Sequence, residues 1–223
     1  SKKNTIDPET MIKQYGADSV RWFILSDSPP DKDVQWSDSG VASSNKFLQK
    51  IWNLNNVILN RKNTKSNKKN EENFNLHIDT YIYKIDKFID NFQMNVAIAQ
   101  FYEAYKYMQD SLKLEIDNKI FSDGFIKIIK LMIPFTPHLA LECLSLFNCK
   151  NTNDWPKVND QIFKNLKINL VVQVNGKTRD VIKIKKDVNE KEIFELVVKS
   201  SKAKKHIVDK KISKTIFIKN KII

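Results

Sequence analysis

The side chains best placed to carry chemistry in this sequence are cations, and the chemistry they suit is contact with phosphate. Lys46 and Lys50 stand four residues apart, a spacing that puts both on one helix face. Lys177 and Arg179 come directly after an Asn175-Gly176 pair. Lys202, Lys204, Lys205, Lys210 and Lys211 crowd the last part of the chain. Ammonium and guanidinium groups hold phosphate through charge-assisted hydrogen bonds and through counterion release. The net charge is +12, and it is unevenly placed. Residues 161–223 hold 17 Lys and Arg against 6 Asp and Glu, whereas residues 1–160 hold 21 against 20. A charge-balanced body with a compact basic end is the footprint of a polyanion-binding module. A coding bias toward Lys and Asn, also visible here, would raise lysine everywhere. It would not by itself concentrate the imbalance in one segment.

Other chemistries find less support. His77, His138 and His206 lie far apart and share no metal-ligand spacing with Cys143 and Cys149, so no metal site is expected. Four glycines cannot build a phosphate-cradling loop and the turns as well. Asp27, Asp31 and Asp33 around Pro29-Pro30 imitate a cation site, but Asp bonds readily to nearby backbone and turn duty is favoured. No serine or cysteine is paired with a base. No catalytic residue is therefore assigned. Trp36, in a loop, has a ring that suits stacking on RNA, although packing on the protein is the favoured reading. Both cysteines read as buried thiols in a reducing compartment. No apolar run reaches the ~18 residues of a membrane span, and no signal peptide is seen at the start.

The elements that must position these cations are mostly helices. Asp7-Pro8-Glu9 is a cap, a first-turn proline and an acid, which predicts a helix to Tyr15 closed by Gly16. Asp18 is expected to cap a second helix that stops at Pro29-Pro30. From Ser39 onward come five amphipathic helices, their apolar residues recurring at three- and four-residue steps. An exposed loop is expected over 61–73, and Thr136-Pro137 should cap and open the fifth helix. Short connections between such helices predict an antiparallel bundle. After a polar linker the period changes to two: Ile168, Leu170, Val172 and Val174 alternate, Asn175-Gly176 intervenes, and Val181, Ile182 and Ile184 come next. That pattern predicts a hairpin. Asn189 and Glu192 form a capping box for one more helix, 213–219 reads as a third strand, and Ile222-Ile223 as an edge pair. The fold class is mainly α with a small α+β domain: a helical bundle, then a hairpin-helix-strand unit.

Several stretches then resemble the class I aminoacyl-tRNA synthetases. The opening Ser1-Lys2-Lys3-Asn4-Thr5-Ile6-Asp7-Pro8 is similar to the end of their KMSKS loop and the residues just after it. Tyr15-Gly16-Ala17-Asp18-Ser19-Val20-Arg21 matches their YGAD-x-x-R pattern. Ser28-Pro29-Pro30 through Trp36-Ser37-Asp38-Ser39-Gly40-Val41 resembles a segment of the bacterial leucyl enzymes. Pro134-Phe135-Thr136-Pro137-His138-Leu139-Ala140 resembles the start of a bundle helix in that group, where Ala140-Leu141-Glu142-Cys143-Leu144 replaces the usual AEELW. Trp155-Pro156 and Leu170-Val171-Val172-Gln173-Val174-Asn175-Gly176-Lys177-Thr178-Arg179 look like their C-terminal domain.

The resemblance, which covers the chain in order, implies a C-terminal portion of a leucine–tRNA ligase starting at the end of the KMSKS loop. It implies a stem-contact region over 1–40, a helical anticodon-binding-type bundle over 41–150, a linker over 151–165 and a basic tRNA-binding domain over 166–223. Leucine tRNA is the implied partner, with no DNA and no membrane, and a cytoplasmic monomer is expected. Lys46 and Lys50 would contact the stem; Asn175, Lys177, Arg179, Lys204 and Lys205 would contact the tRNA corner. Ser1 would be the last residue of the ATP loop. ATP and Mg would serve the full-length parent, and this piece by itself, which would bind no cofactor, is expected to be inactive. Two alternatives stay open: a stand-alone RNA-binding protein built from synthetase modules, or the same region of another class I synthetase.

Overall fold

A computed structural model describes residues 6–29, 31–62, 65–158, 167–185, 188–207, 212 and 214–218. They fall into two compact units that divide after Val158.

The first unit is built from α1 (Pro8–Tyr15), α2 (Ala17–Asp27), α3 (Asp38–Leu59), α4 (Lys68–Asp90), α5 (Met94–Ser111), α6 (Asn118–Met132) and α7 (Pro137–Leu146). Each of the long helices turns one apolar stripe inward. Phe47, Ile51, Leu54 and Ile58 of α3 meet Phe74, Ile78, Ile82 and Ile85 of α4, Phe101, Ala104 and Met108 of α5, and Phe121, Phe125, Ile128, Ile129 and Met132 of α6 in one core. Trp22 of α2 is fully buried in that same core, stacked on Phe47 with ring centroids 5.3 Å apart. Through Trp22 and Leu25, α2 thus shares the bundle's core, and the described residues up to Gly40 are grouped with it in one compact unit. Gly124 lets α6 approach α4 closely: a Cβ there would lie 2.7 Å from Cε1 of Phe74.

Helix ends agree with the sequence in part. Asp7 caps α1, its carboxylate accepting the N–H groups of Glu9 and Thr10. Asp18 does not cap its own helix. It lies in the first turn of α2, buried, and its carboxylate accepts the N–H of Leu139 in α7. Thr136 makes no side-chain cap to α7, since its hydroxyl donates back to the Met132 carbonyl at 3.4 Å. The expected loop over 61–73 is shorter than predicted, because Asn67 caps α4 through Asn70 N–H and the helix begins at Lys68. Arg61, within that stretch, is half-buried: its guanidinium donates to the carbonyls of Ile116 and Leu114 and to Asn118 Oδ1, and lies over the Phe121 ring. Trp36 packs on the protein, edge-on to Phe23, with its indole N–H donating to Asp38. Cys143 is buried, whereas Cys149 is only half-buried.

The second unit carries β1 (Lys167–Val174), β2 (Lys177–Lys185), α8 (Glu190–Ser200) and a short 3-10 helix (Lys202–His206). The two strands pair antiparallel. Asn175 and Gly176 join them with φ of 54° and 71°, the mirror-image turn that only residues tolerant of positive φ allow. Leu170, Val172, Ile184, Ile193, Val197 and Ala203 form its core. Asn189 caps α8 by accepting Glu192 N–H, and its amide donates to the Glu192 carboxylate, so the expected capping pair is present. The third strand expected over 213–219 reduces, among the described residues, to a single bridge position at Ile218. Ser1, Lys210, Lys211, Ile222 and Ile223 lie outside the described residues.

Candidate nucleic-acid interface

The hairpin sets three of the candidate residues around one turn. Asn175 occupies its first corner, Lys177 opens β2, and Arg179 lies two residues on, all three exposed. The register steps by one residue here: Val172 faces Asp180 but Gln173 faces Thr178, so Arg179 is the extra residue of a bulge. A bulge re-aims the side chains next to it and bends the strand.

Asp180 then joins this turn to the second basic cluster. Its carboxylate accepts the Ser201 hydroxyl at 2.7 Å and the Lys202 N–H at 2.8 Å. Those bonds, the Ser201 hydroxyl first, hold the Asp180 carboxyl below its ordinary value. Ser201 in turn caps the 3-10 helix by accepting Ala203 N–H. Ala203 is buried in the small core, which leaves Lys202, Lys204 and Lys205 on the exposed side. The hairpin cations and the late lysines therefore belong to one structural piece, pinned together at Asp180. Sequence reasoning did not single out Asp180. Its signal was present: it is the sole acid in the stretch 161–186.

Lys46 and Lys50 sit in the other unit, on α3. Both are exposed, while Phe47, Leu48 and Ile51 between and beside them are buried, which fixes the orientation of the face they share. The neighbouring Asn45 ties α3 to the corner between α1 and α2, its amide donating to the Tyr15 carbonyl at 3.0 Å and to Ser19 Oγ at 3.1 Å.

Two of the family-like motifs meet at a single joint. Asp18 accepts Leu139 N–H at 2.7 Å and pairs with His138 Nδ1 at 2.9 Å. One helical turn on, the Arg21 guanidinium donates to the Pro134 carbonyl at 2.6 Å and to the Phe135 carbonyl at 3.2 Å. The end of α6 and the start of α7 leave backbone groups without intrahelical partners. From α2, Asp18 supplies such a partner at the start of α7, and Arg21 holds the carbonyls of the turn between α6 and α7. His77 also has a local role: it contacts the Asn73 carbonyl and stacks on Tyr107 at 4.5 Å.

A family model described as the anticodon-binding domain of tRNA ligase matches residues 71–194. The leucine–tRNA ligase of Buchnera aphidicola subsp. Cinara cedri (strain Cc) is 36% identical over 239 aligned residues, covering 100% of this chain and 28% of that protein. That of Prochlorococcus marinus (strain AS9601) is 37% identical over 228 residues, covering 100% and 26%. The chain spans about a quarter of the length of these curated relatives. Among solved structures, Agrobacterium radiobacter K84 agnB2 LeuRS, in a ternary complex with tRNA and LeuAMS, matches with a TM-score of 0.72 at 22% identity, over 100% of this chain and 30% of that one. Mycobacterium tuberculosis methionyl-tRNA synthetase in its free state matches 62% of this chain and 34% of its own with a TM-score of 0.51 at 15% identity. With more than half its length matched by that family model and its whole length aligned with leucine–tRNA ligases, the chain belongs to the anticodon-binding domain family of the tRNA ligases.

Proposed function

We propose that the chain is the tRNA-positioning part of a leucine–tRNA ligase of bacterial type, with leucine tRNA as its partner. The observation that carries the reading is the basic piece of the second unit, where Asp180 joins Lys177 and Arg179 to the lysines of the 3-10 helix. Within it Asn175, Lys177, Arg179, Lys204 and Lys205 contact the tRNA corner, and in the bundle Lys46 and Lys50 contact the stem. Whole-length alignment with leucine ligases favours that substrate over the tRNA of another class I enzyme.

Phosphate contacts set register and orientation and carry no sequence information. Structured RNA is recognised largely by shape. Holding the tRNA so that its acceptor end reaches a distant active site speeds the reaction through orientation. ATP and Mg supply the activation chemistry of the parent ligase. Among the described residues no group of three or more His, Cys, Asp or Glu is arranged to hold a metal ion, so no step is assigned to this chain through Mg. Ser1 is proposed as the last residue of the ATP loop. The parent is proposed to be a cytoplasmic monomer that uses neither DNA nor membrane. No helix among the described residues is long and apolar enough to cross a membrane.

The test compares binding of the chain to leucine tRNA and to a tRNA without a long variable arm. Preference for leucine tRNA supports the reading. Equal, weak binding of both tRNAs overturns it.

A further inference from the structure

The hairpin has two faces, and its core uses only one. Leu170, Val172 and Ile184 are buried, and Val174 and Ile182 pack against them. Alternation along a strand then places Asn169, Val171 and Gln173 of β1, with Val181, Lys183 and Lys185 of β2, on the opposite face. The burial agrees: Asn169, Gln173, Lys183 and Lys185 are exposed, Val171 is half-buried, and Val181 is 51% exposed. The register orders this face into rungs, Asn169 opposite Lys183, Val171 opposite Val181, and Gln173 opposite Thr178. An apolar rung therefore lies between two polar ones, with lysine at one end.

Asparagine is depleted in strands, so Asn169 in mid-strand works against local preference. The middle of the face, away from Lys183 and Lys185, is also unlike a phosphate clamp. Its amides both donate and accept, which suits hydroxyls and base edges and has no special value for a phosphate oxygen. Asn169 and Gln173 are four residues apart, about 14 Å at ~3.4 Å per residue, so they reach different nucleotides. Gln173 Nε2 lies 3.5 Å from Thr178 Oγ1, at the long limit of a hydrogen bond, a contact that an incoming partner can readily replace. Charge decides the partner: the segment 161–223 carries 17 Lys and Arg against 6 Asp and Glu, which attracts a polyanion.

We infer that this outer face of the hairpin is a second RNA contact, in which Asn169 and Gln173 bond 2′-hydroxyls and base edges of a shallow minor groove. The Val171–Val181 rung packs on the riboses between them, and Lys183 holds the flanking phosphate. Double-stranded RNA displays its hydroxyls and base edges in a wide, shallow minor groove, which a two-stranded ribbon can lie against. The inference rests on the tRNA-binding reading above and adds to it neutral amide contacts beside the phosphate contact at Lys183.

Salt dependence separates the two kinds of contact. The affinity of the full chain for leucine tRNA is measured across a range of salt for the parent, for Asn169→Ala with Gln173→Ala, and for Lys183→Ala. All three positions are exposed, and circular dichroism checks that each variant folds like the parent. The amide variant is expected to bind about 10-fold more weakly at every salt concentration with an unchanged slope, since neutral hydrogen bonds are lost and no counterion is released. Lys183→Ala is expected to flatten the slope by roughly 0.7–0.9. An amide variant that overlays the parent overturns the inference and leaves the tRNA-binding reading standing. Failure of the parent itself to bind tRNA removes the reading on which the inference rests.

Discussion

The Asp18 carboxylate accepts the backbone N–H of Leu139 at 2.7 Å, across 121 residues of chain. It does for α7 what the helix's own Thr136 does not. Replacing Asp18 with Ala leaves the first turn of α7 without this partner at a buried site. A loss of about 0.5–2 kcal/mol is expected, the range for removing a helix cap. Urea unfolding monitored by helical circular dichroism checks it, and an unchanged midpoint would count against the joint.

Gly124 permits the contact between α6 and α4. An added Cβ would meet Phe74 Cε1 at 2.7 Å and Ile78 Cγ1 at 3.3 Å. Phe74 cannot easily yield, being fully buried and stacked on Phe121 at 4.8 Å. Overpacking of that kind costs about 1–3 kcal/mol, and alanine's better helix propensity returns about 1. Gly124→Ala is expected to destabilise the chain by about 1 kcal/mol. A gain in thermal midpoint would show that the helices can move apart without cost.

Asp79 gives a pH dependence with a definite sign. Burial pushes its carboxyl above the ordinary 3.8, and Lys127 at 3.8 Å offsets this only in part. The folded chain then holds this proton to higher pH than the unfolded chain, so the ionised group costs stability at neutral pH. That cost is relieved as pH falls through the raised value. Asp79→Asn is expected to be more stable than the parent at pH 7, with the gap closing below about pH 4. A gap that widens in acid would reverse the assignment.

Asp180 has the opposite sign. Its carboxyl is held below the ordinary 3.8, first by the Ser201 hydroxyl and then by Lys202 N–H. Its contribution to the second unit is complete above that ordinary value and is lost as pH falls through the lowered one. Asp180→Asn is expected to speed amide exchange at Lys202 and Ala203 at neutral pH. Unchanged exchange would mean that the 3-10 helix is held by its Ser201 cap and its buried Ala203 without Asp180.

The fold was legible where the signal was local. Asp7-Pro8, Asn175-Gly176 and Asn189 with Glu192 each act within a few residues, and each does in the structure what its spacing predicts. Two of the misjudged residues depend on distant chain. Asp18 reads as a cap for the helix it stands in, but its partner is 121 residues away. Arg61 sits in a stretch that looks solvated, but its guanidinium finds the carbonyls of Leu114 and Ile116. In the candidate site, the cations were legible as a charge imbalance. Asp180, which joins them, stands out in the sequence only as a lone acid in a basic run, and its role shows once its partners at Ser201 and Lys202 are seen.

The central claim, that the basic second unit grips tRNA, is tested most directly by the salt dependence of leucine tRNA binding to the full chain and to charge variants. The parent is measured beside Lys177→Ala with Arg179→Ala, Lys204→Ala with Lys205→Ala, and Lys46→Ala with Lys50→Ala. Each phosphate contact removed is expected to flatten the slope of log affinity against log salt by roughly 0.7–0.9. The two second-unit pairs should therefore each lower it by about 1.4–1.8. Slopes that match the parent in both of those variants would contradict the account, and a loss confined to the Lys46 and Lys50 variant would move the grip to the bundle.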